Sequence, residues 1–505
     1  MSLLLELLAA GPIAWSSWSG RPAGAERPLL VFAGTALDHW SSQLAAELNA
    51  DREVAGAFSE LFVCVAVDVA AEPELAARLQ HALQLTAGST GWPAVALCTP
   101  DGAPFGALPW RPLRDLAQRV LSAAETWHAA PADCLADAAR LTAAWAAVHA
   151  PASGRPLNAT LLLDAVEAAA MEAADPLEGG FGPEPRTAEP GLWSFLIARA
   201  ARPEAPFALV QQVERSLAAL CAGAAHDQLG GGFFRGCSDA AWREPLCEKR
   251  LTDQAQIAVL LLTAAQRLDK PLWREVALRT LDFTVGTLRL ADGTYAHGLH
   301  ADSATAPGRW EDGACYRWSE EQAAEILGAA GAALIAKRFG LPGVPGVGEP
   351  LSAAESAQLP ALVLRLAVAR SERPQPRRDG SVYAAEQGQI AYALELAGLH
   401  EHLPPLSGSD PWTGCALAAR WRRTGVRDEA ALTIAATDPT GDIDQPGQLA
   451  STAVLAHLRL DLADLTGDTA WRAAAVALVD RARDRLRTAP LACAGLLSVV
   501  DRLVD

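Results

Sequence analysis

Two different hydrophobic patterns divide the chain. Up to about residue 130, short apolar runs typical of buried strands alternate with segments of helical spacing. The predicted strands are Arg27–Ala33, Leu61–Val67, Pro93–Cys98 and Phe105–Leu108. The predicted helices are Asp38–Leu48, Glu72–Leu85 and Arg114–Trp127. The pair Asp101-Gly102 predicts a hairpin turn between the last two strands. The order βαβ, hairpin, helix predicts a small α/β domain over residues 1–130.

From residue 131 to 505 the pattern is helical almost throughout, rich in the strong helix formers Ala, Leu, Arg and Glu. About a dozen helices are predicted, with glycine clusters marking the loops. They are Ala132–His149, Leu157–Glu172, Trp193–Ala201, Ala208–Ala222, Thr252–Leu268, Trp273–Leu290, Ser319–Gly331, Ala354–Ala369, Gln387–Leu399, Trp412–Arg423, Gln448–Leu465, Thr469–Arg487 and Leu491–Leu503. Such a series favours an α/α toroid built from helical hairpins. An α-solenoid is the alternative, but no fixed repeat period supports it.

Composition narrows the function classes. A chain of 505 residues, half of them hydrophobic, is long enough for two or more cores. The net charge of −17 and the pI of about 5.1 disfavour nucleic acid and anionic membranes as partners. The longest apolar stretch, near Ile257–Ala265, is far too short to span a membrane.

The cysteines predict a reducing environment. No two of the nine lie within three residues of each other, so neither a CxxC motif nor a zinc-type pairing is present. An odd number in so large a chain indicates reduced, mostly buried thiols. The N-terminal run MSLLLELLAAGPIAW contains Glu6 and lacks a basic start, so we expect it to be structure rather than a signal peptide. A cytoplasmic location follows as an expectation.

Several short motifs occur in a family-specific order. They are WSSW (15–18), GTALDHWSSQL (34–44), GWPAVALCTPDGAPF (91–105), GGFG (179–182), DQLGGGFFR (227–235), PLCEKRLTDQA (245–255) and ADS (301–303) followed by Tyr316 and Trp318. Together they resemble the spermatogenesis-associated protein 20 family nearly end to end. The resemblance implies a thioredoxin-like domain followed by a six-hairpin (α/α) barrel, a fold shared by several glycosidases and sugar epimerases.

The redox site that the resemblance implies is degenerate. The family's two cysteine positions are occupied by Asp38 and Ser41, and neither can form the thiolate that disulfide exchange requires. We expect Asp38 to cap the following helix instead. By the same resemblance Trp92-Pro93 is a candidate cis peptide bond, either as a required turn or as a retained peptide-binding edge.

The resemblance also points to carboxylates in the helical domain. Glycoside cleavage needs a carboxylic acid and a carboxylate base, and the matched motifs supply Asp227, Glu248, Asp253 and Asp302 as catalytic candidates. Each has a structural alternative. Asp227 could brace the glycine turn, Glu248 could pair with a neighbouring cation, Asp253 could cap a helix and Asp302 could lie in a solvated turn.

Substrate-binding candidates are Arg235, Tyr316 and Trp318. Arg235 could bind an anionic group or pair with a nearby acid, and the aromatic rings could stack on a sugar or fill the core. Two histidines of the family motifs are replaced, by Phe234 and Leu246. His297, His300 and Asp302 form only a weak metal-type pattern, so neither a metal nor a cofactor is predicted.

Three functions are consistent with these residues. The first is a barrel that binds or processes a carbohydrate-like small molecule, with Glu248 and Asp253 as the acid/base pair and Asp227 and Asp302 positioning the substrate. The second is a non-catalytic protein that acts through a protein partner. The third, a thiol–disulfide oxidoreductase, requires an unrelated cysteine and is disfavoured.

Overall fold

The computed structural model describes residues 2–21, 26–148, 156–339, 351–406, 408–437 and 451–504. The chain forms two compact units, residues 1–150 and 151–505. The first extends twenty residues beyond the predicted boundary at 130, because the helix Pro131–Val148 packs on the sheet of the N-terminal unit. Residues 448–450 of the predicted helix Gln448–Leu465 lie outside the described ranges.

The N-terminal unit is built around one five-stranded sheet in the order β1-β3-β2-β4-β5. Strand β2 pairs parallel with β3 and antiparallel with β4, and β4 pairs antiparallel with β5 as predicted from the hairpin turn. The strands are β1 (Ser16–Ser17), β2 (Leu29–Gly34), β3 (Val63–Asp68), β4 (Ala94–Cys98) and β5 (Pro104–Pro109). The helices are α1 (Leu3–Leu8), α2 (His39–Ala50), α3 (Arg52–Leu61), α4 (Pro73–Ala87), α5 (Leu113–Ala129) and α6 (Pro131–Val148).

Strand β2 shows why its apolar run is continuous. Its alternate side chains enter two separate cores, Leu30 and Phe32 on one face and Leu29 and Val31 on the other. A strand covered on both faces buries every residue, so it lacks the polar alternation of a half-exposed strand. This arrangement is the thioredoxin-like domain that the motifs implied.

The C-terminal unit contains the remaining helices and several two- to five-residue strands. The helices are α7 (Ala159–Glu172), α8 (Pro190–Ala200), α9 (Phe207–Ala222), α10 (Leu251–Arg267), α11 (Pro271–Leu288), α12 (Glu320–Leu327), α13 (Ala329–Phe339), α14 (Ala353–Ser371), α15 (Ala384–Ala397), α16 (Pro411–Thr424), α17 (Glu429–Ala435), α18 (Ser451–Thr466), α19 (Thr469–Arg481), α20 (Arg483–Thr488) and α21 (Ala494–Val504). The strands are β6 (Gly236–Cys237), β7 (Pro245–Leu246), β8 (Lys249–Arg250), β9 (Gly298–Leu299), β10 (Asp302–Ala306), β11 (Arg309–Asp312) and β12 (Arg378–Asp379).

Six helices close into an inner ring. In spatial order they are α8, α10, α15, α16, α18 and α21, and α21 packs back on α8. Contacts join equivalent positions of neighbouring helices, so these helices run in the same direction: Thr252 with Gln389, Glu395 with Arg423, Cys415 with Val454, His457 with Ser498, and Asp501 with Arg199. The N-terminal ends of the ring helices therefore lie at one end of the domain, which we call the ring mouth.

The outer layer is formed by α7, α9, α11, α17 and α19, each packed on one or two ring helices. Between α15 and α16 the described residues contain only a short 3-10 helix, His400–His402, where a full outer helix would complete the sixth hairpin. The ring is nevertheless closed, so the predicted α/α toroid is confirmed with one reduced outer helix. Helices α12 to α14 form an excursion between α11 and α15.

Candidate functional site

The short strand β8 leads directly into ring helix α10 and sends consecutive side chains to opposite sides. Successive residues of a strand alternate between its two faces. Lys249 consequently contacts Asp227 in the glycine-rich loop, whereas Arg250 contacts Asp253 in the first turn of α10. One short segment thus contributes to two separate charge clusters.

The first cluster, the Asp227 network, consists of Asp227, Lys249 and Arg370. Asp227 Oδ2 accepts from Lys249 Nζ at 2.6 Å and Asp227 Oδ1 accepts from Arg370 Nη1 at 2.9 Å. Oδ1 also accepts from the backbone N–H groups of Leu229 and Gly230. Burial opposes ionisation of Asp227, but the two cations outweigh it and hold the pKa of this carboxyl well below its usual range. With both oxygens engaged, the geometry favours the bracing role for Asp227.

The aromatic candidates lie away from the ring helices' first turns. Tyr316 packs edge-on against Phe234 with ring centroids 4.8 Å apart, and its ring centroid lies 5.2 Å from Lys249 Nζ. Trp318 is covered by the Arg373 guanidinium, 3.5 Å from the ring centroid. Both rings are buried, so core packing accounts for the positions of both.

Asp302 opens the β10–β11 hairpin opposite Asp312. Its backbone N–H donates to His300 Nδ1 at 2.8 Å, and its carboxylate lies 3.9 Å from the same nitrogen. The structure thus joins Asp302 with His300 and places both in the hairpin region. The roles predicted for Asp302, Tyr316 and Trp318 in substrate binding remain predictions.

The second cluster lies at the ring mouth and is called the ring-mouth cluster. Its members are Arg235, Glu248, Arg250, Asp253, His297, Asp379 and Glu386. Arg250 forms a bidentate pair with Asp253, with Nε–Oδ2 at 2.7 Å and Nη2–Oδ1 at 2.5 Å. Arg235 Nη1 donates to Glu248 Oε1 at 3.2 Å. Burial and the nearby Glu248 raise the pKa of Asp253, and Arg250 only partly offsets them. The predicted acid/base pair is therefore part of one cluster.

His297 occupies a central position in this cluster. Its backbone N–H donates to Ser381 O at 2.9 Å, and its carbonyl accepts from Leu251 N at 2.8 Å, so it links the start of α10 to the segment before α15. Its Nδ1 lies 2.8 Å from Glu386 Oε1. A carboxylate paired with an imidazole fixes the tautomer of the ring and can stabilise its protonated form.

Asp379 lies on β12, which pairs with β9 on the edge opposite to β8. It pairs with Gly298 across the β12–β9 ladder, and its Oδ1 accepts from Ser381 N at 2.9 Å. Glu386 is the third residue of α15, just as Asp253 is the third residue of α10. Acids in the first turn are stabilised by the N-terminal end of a helix dipole.

Three buried oxygens around this cluster have no hydrogen-bond partner among the residues that the structure describes. They are Asp379 Oδ2, Glu386 Oε2 and Gln256 Oε1, in side chains of residues 3, 7 and 3% exposed. Gln256 lies one turn further along α10 and donates to Thr252 Oγ1 at 3.1 Å. All three atoms can only accept at neutral pH. Buried polar atoms are normally paired, so each of these acceptors can take a hydrogen bond from a ligand or a water that donates.

Sequence reasoning missed Asp379, Glu386, Arg250 and Gln256. Nothing in the sequence marked Asp379, because its position depends on the pairing of two-residue strands far apart in the chain.

The degenerate redox site has the predicted local geometry. Asp38 caps α2, with its Oδ2 accepting from Ser41 N at 2.7 Å and from Ser41 Oγ at 2.8 Å. The Trp92-Pro93 bond is cis, as predicted. All nine cysteines are free and buried, and burial raises the pKa of Cys64 and of Cys98 to about 12. Neither thiol can supply a thiolate near neutral pH.

Similarity to known proteins agrees with this architecture. Residues 1–144 match a family model described as Thioredox_DsbH, a protein of unknown function, DUF255. The human protein named spermatogenesis-associated protein 20 is 27% identical over 336 residues, which are 63% of this chain and 43% of that protein. The rat protein of the same name is 25% identical over 407 residues, 77% of this chain and 50% of that protein. The resemblance to this family is confirmed, and the matches span half or less of the length of these relatives.

Two solved structures align with most of this chain at low similarity. Cellobiose 2-epimerase from Spirochaeta thermophila covers 70% of this chain and all of its own, at 14% identity and a TM-score of 0.33. A glycoside hydrolase family 76 (mannosidase) from Bacteroides thetaiotaomicron covers 69% of this chain and 98% of its own, at 9% identity and a TM-score of 0.36. At such scores neither likeness assigns a ligand or a reaction to this chain. Within the described ranges, no helix is both long and apolar enough to cross a membrane.

Proposed function

We propose that the helical domain binds a carbohydrate-like small molecule at the ring-mouth cluster. One observation carries the proposal: two buried carboxylates, Asp379 beside Gly298 and Glu386 beside His297, each keep one oxygen without a partner in the described protein. An unpaired buried acceptor costs about 1–3 kcal/mol, more when it is charged, so a ligand that donates hydrogen bonds recovers that energy.

A polyol suits these acceptors better than an apolar ligand does. Sugar hydroxyls are donors spaced a few ångströms apart. Gln256 Oε1, one turn further along α10, offers a third acceptor. Carbohydrate sites commonly combine carboxylates with amides in this way because each oxygen orients one hydroxyl. The cluster would therefore fix the orientation of a ring bearing several hydroxyl groups.

The same cluster has groups suited to proton transfer. Burial raises the pKa of Asp253, while its bidentate pair with Arg250 opposes that shift. Glu248 lies in the same cluster as a second carboxyl group. We propose these two residues as the acid/base pair, with His297 and Glu386 orienting the bound molecule. Asp227 and Arg370 hold the glycine loop and contribute indirectly.

A second candidate function concerns the N-terminal domain. The replacement of both redox cysteines by Asp38 and Ser41 favours a non-catalytic interaction module over an oxidoreductase. We further propose a reducing, cytoplasmic compartment, which suits nine buried free thiols. The partner of the N-terminal domain would be a protein rather than a nucleic acid or a membrane surface, given the net charge of −17 of the whole chain.

A thermal-shift screen of the purified protein against simple sugars, amino sugars and sugar phosphates tests the first proposal. A ligand at a hundred times its Kd adds about 2.7 kcal/mol and raises Tm measurably. We expect a hit that weakens in Asp379→Asn and in Glu386→Gln. Glu320→Gln, a change at an exposed carboxylate on α12, is the matched control and should keep the full shift. No shift with any sugar, or a shift that survives both cluster variants, would contradict the proposal.

A further inference from the structure

The proposed function leaves open the charge of the ligand, and the ring-mouth cluster constrains it. We infer that the site takes a carbohydrate-like molecule bearing a protonated amino group, an amino sugar, in preference to a neutral or anionic sugar. The inference rests on the proposed function.

The charge balance of the cluster is negative. Four carboxylates, Glu248, Asp253, Asp379 and Glu386, stand against two guanidiniums, those of Arg235 and Arg250, and one imidazole, that of His297, so the balance is negative whether or not the imidazole is protonated. Both guanidiniums are already paired, Arg250 through two nitrogens with Asp253 and Arg235 through one with Glu248. The two guanidiniums therefore form direct ion pairs with two of the acids, and the other two acids have no guanidinium partner among the described residues.

Those other two acids are the ones with unpartnered oxygens. Asp379 has no ion pair within the described part of the chain, and Glu386 is paired there with His297 alone. A carboxylate 90% or more buried carries a large desolvation cost unless a positive charge compensates it. An ammonium group supplies both the charge and up to three donors, whereas a hydroxyl supplies one donor and no charge. Charge-assisted hydrogen bonds are roughly twice as strong as neutral ones.

Helix N-termini do not reverse this preference. The first turns of α10 and α15 would favour an anion, but Asp253 and Glu386 already occupy them as the third residue of each helix. Arg235 is the one group that could still receive an anionic ligand, since its side chain is 22% exposed and pairs with Glu248 through Nη1. An anion bound there would also meet Glu248, which weakens the attraction.

Calorimetry with four probes at pH 6.5 tests the inference: glucosamine, glucose, N-acetylglucosamine and glucose 6-phosphate. We expect glucosamine to bind about tenfold more tightly than glucose, a ratio that corresponds to about 1.4 kcal/mol. N-acetylglucosamine keeps the nitrogen but loses the charge, so it should bind no better than glucose. Asp379→Asn and Glu386→Gln keep the shape of each side chain and should each reduce the preference to about threefold or less, while Glu320→Gln leaves it unchanged.

The outcomes separate the two proposals. If glucose and glucosamine bind equally, or if glucose 6-phosphate binds most tightly and loses affinity in Arg235→Gln, the charge inference is wrong although the site binds sugars. If none of the four probes binds, the proposed function fails as well. A glucosamine preference that persists unchanged in both carboxamide variants would place the amine elsewhere and overturn the inference.

Discussion

In the closed ring of parallel helices, α15 and α16 approach each other so closely at Gly388 that a side chain does not fit there. Gly388 lies in the first half of α15. A Cβ atom added there would lie 2.5 Å from the backbone nitrogen of Thr413 and 2.8 Å from the carbonyl carbon of Trp412 in α16. Carbon atoms in contact prefer separations of about 3.5–4.0 Å, so α15 and α16 would have to part by about 1 Å. The contacts are with backbone atoms, which cannot rotate away.

Gly388→Ala therefore sets two effects against each other. Replacing a helical glycine by alanine gains about 0.5–1 kcal/mol in backbone entropy. Overpacking a buried helix contact costs about 1–3 kcal/mol. We expect a net loss of about 1–2 kcal/mol in the free energy of unfolding. The change should appear as a lower urea midpoint in far-ultraviolet circular dichroism at an unchanged m-value.

Gly286→Ala is the matched control for this prediction. Gly286 lies in the outer helix α11, and a Cβ atom there would meet no atom within 4 Å. The same substitution should raise the free energy of unfolding by about 0.5–1 kcal/mol. Opposite signs for one chemical change would show that α15 and α16 approach closely at the ring mouth. Equal stabilisation by both variants would refute the close approach and the ring packing derived from it.

Three further predictions concern single buried groups. Asp227→Ala strands Lys249 in the interior and should cost about 3–5 kcal/mol in urea unfolding, whereas a loss under 1 kcal/mol would mean that the Asp227 network is not closed. Burial lowers the pKa of His226 to about 4. Below pH 6.5 the unfolded state therefore binds more protons than the folded state, and the free energy of unfolding decreases as the pH is lowered. The loss should be about 2 kcal/mol at pH 5 and should disappear in His226→Gln; an equal acid loss in that variant would exclude His226 as its source. The protein should show no turnover in an insulin-reduction assay, and measurable turnover would show that a cysteine elsewhere in the chain supports disulfide exchange.

Local patterns were sufficient for most of the elements. The continuous apolar runs predicted β2 to β5 within a few residues, and Asp38 was identified as the cap of α2. Two short helices of the N-terminal unit, α1 and α3, were not predicted. Helix α3 follows α2 after a single residue, Asp51, which ends one helix and caps the next, so the sequence contains no loop signal between them.

The site was harder to predict than the fold for a physical reason. Glu248 and Asp253 are neighbours in sequence, so their shared cluster could be expected from one motif. Asp379 reaches Gly298 only through the β12–β9 pairing, and Glu386 reaches His297 only from the first turn of α15, so both contacts span more than eighty residues. Two-residue strands carry no periodic signal, since alternation needs at least four residues to be recognised. Tyr316 and Trp318 were grouped with the site by motif order, but their rings pack in the interior beside Lys249 and Arg373.

A crystal structure of the protein with glucosamine at saturating concentration tests the central claim most directly. We expect a sugar at the ring mouth with donor atoms within about 3.2 Å of Asp379 Oδ2 and Glu386 Oε2, two of the three buried oxygens that lack partners among the described residues. A sugar bound elsewhere on the protein would contradict the proposal, and so would a ring mouth that held only ordered water at that concentration.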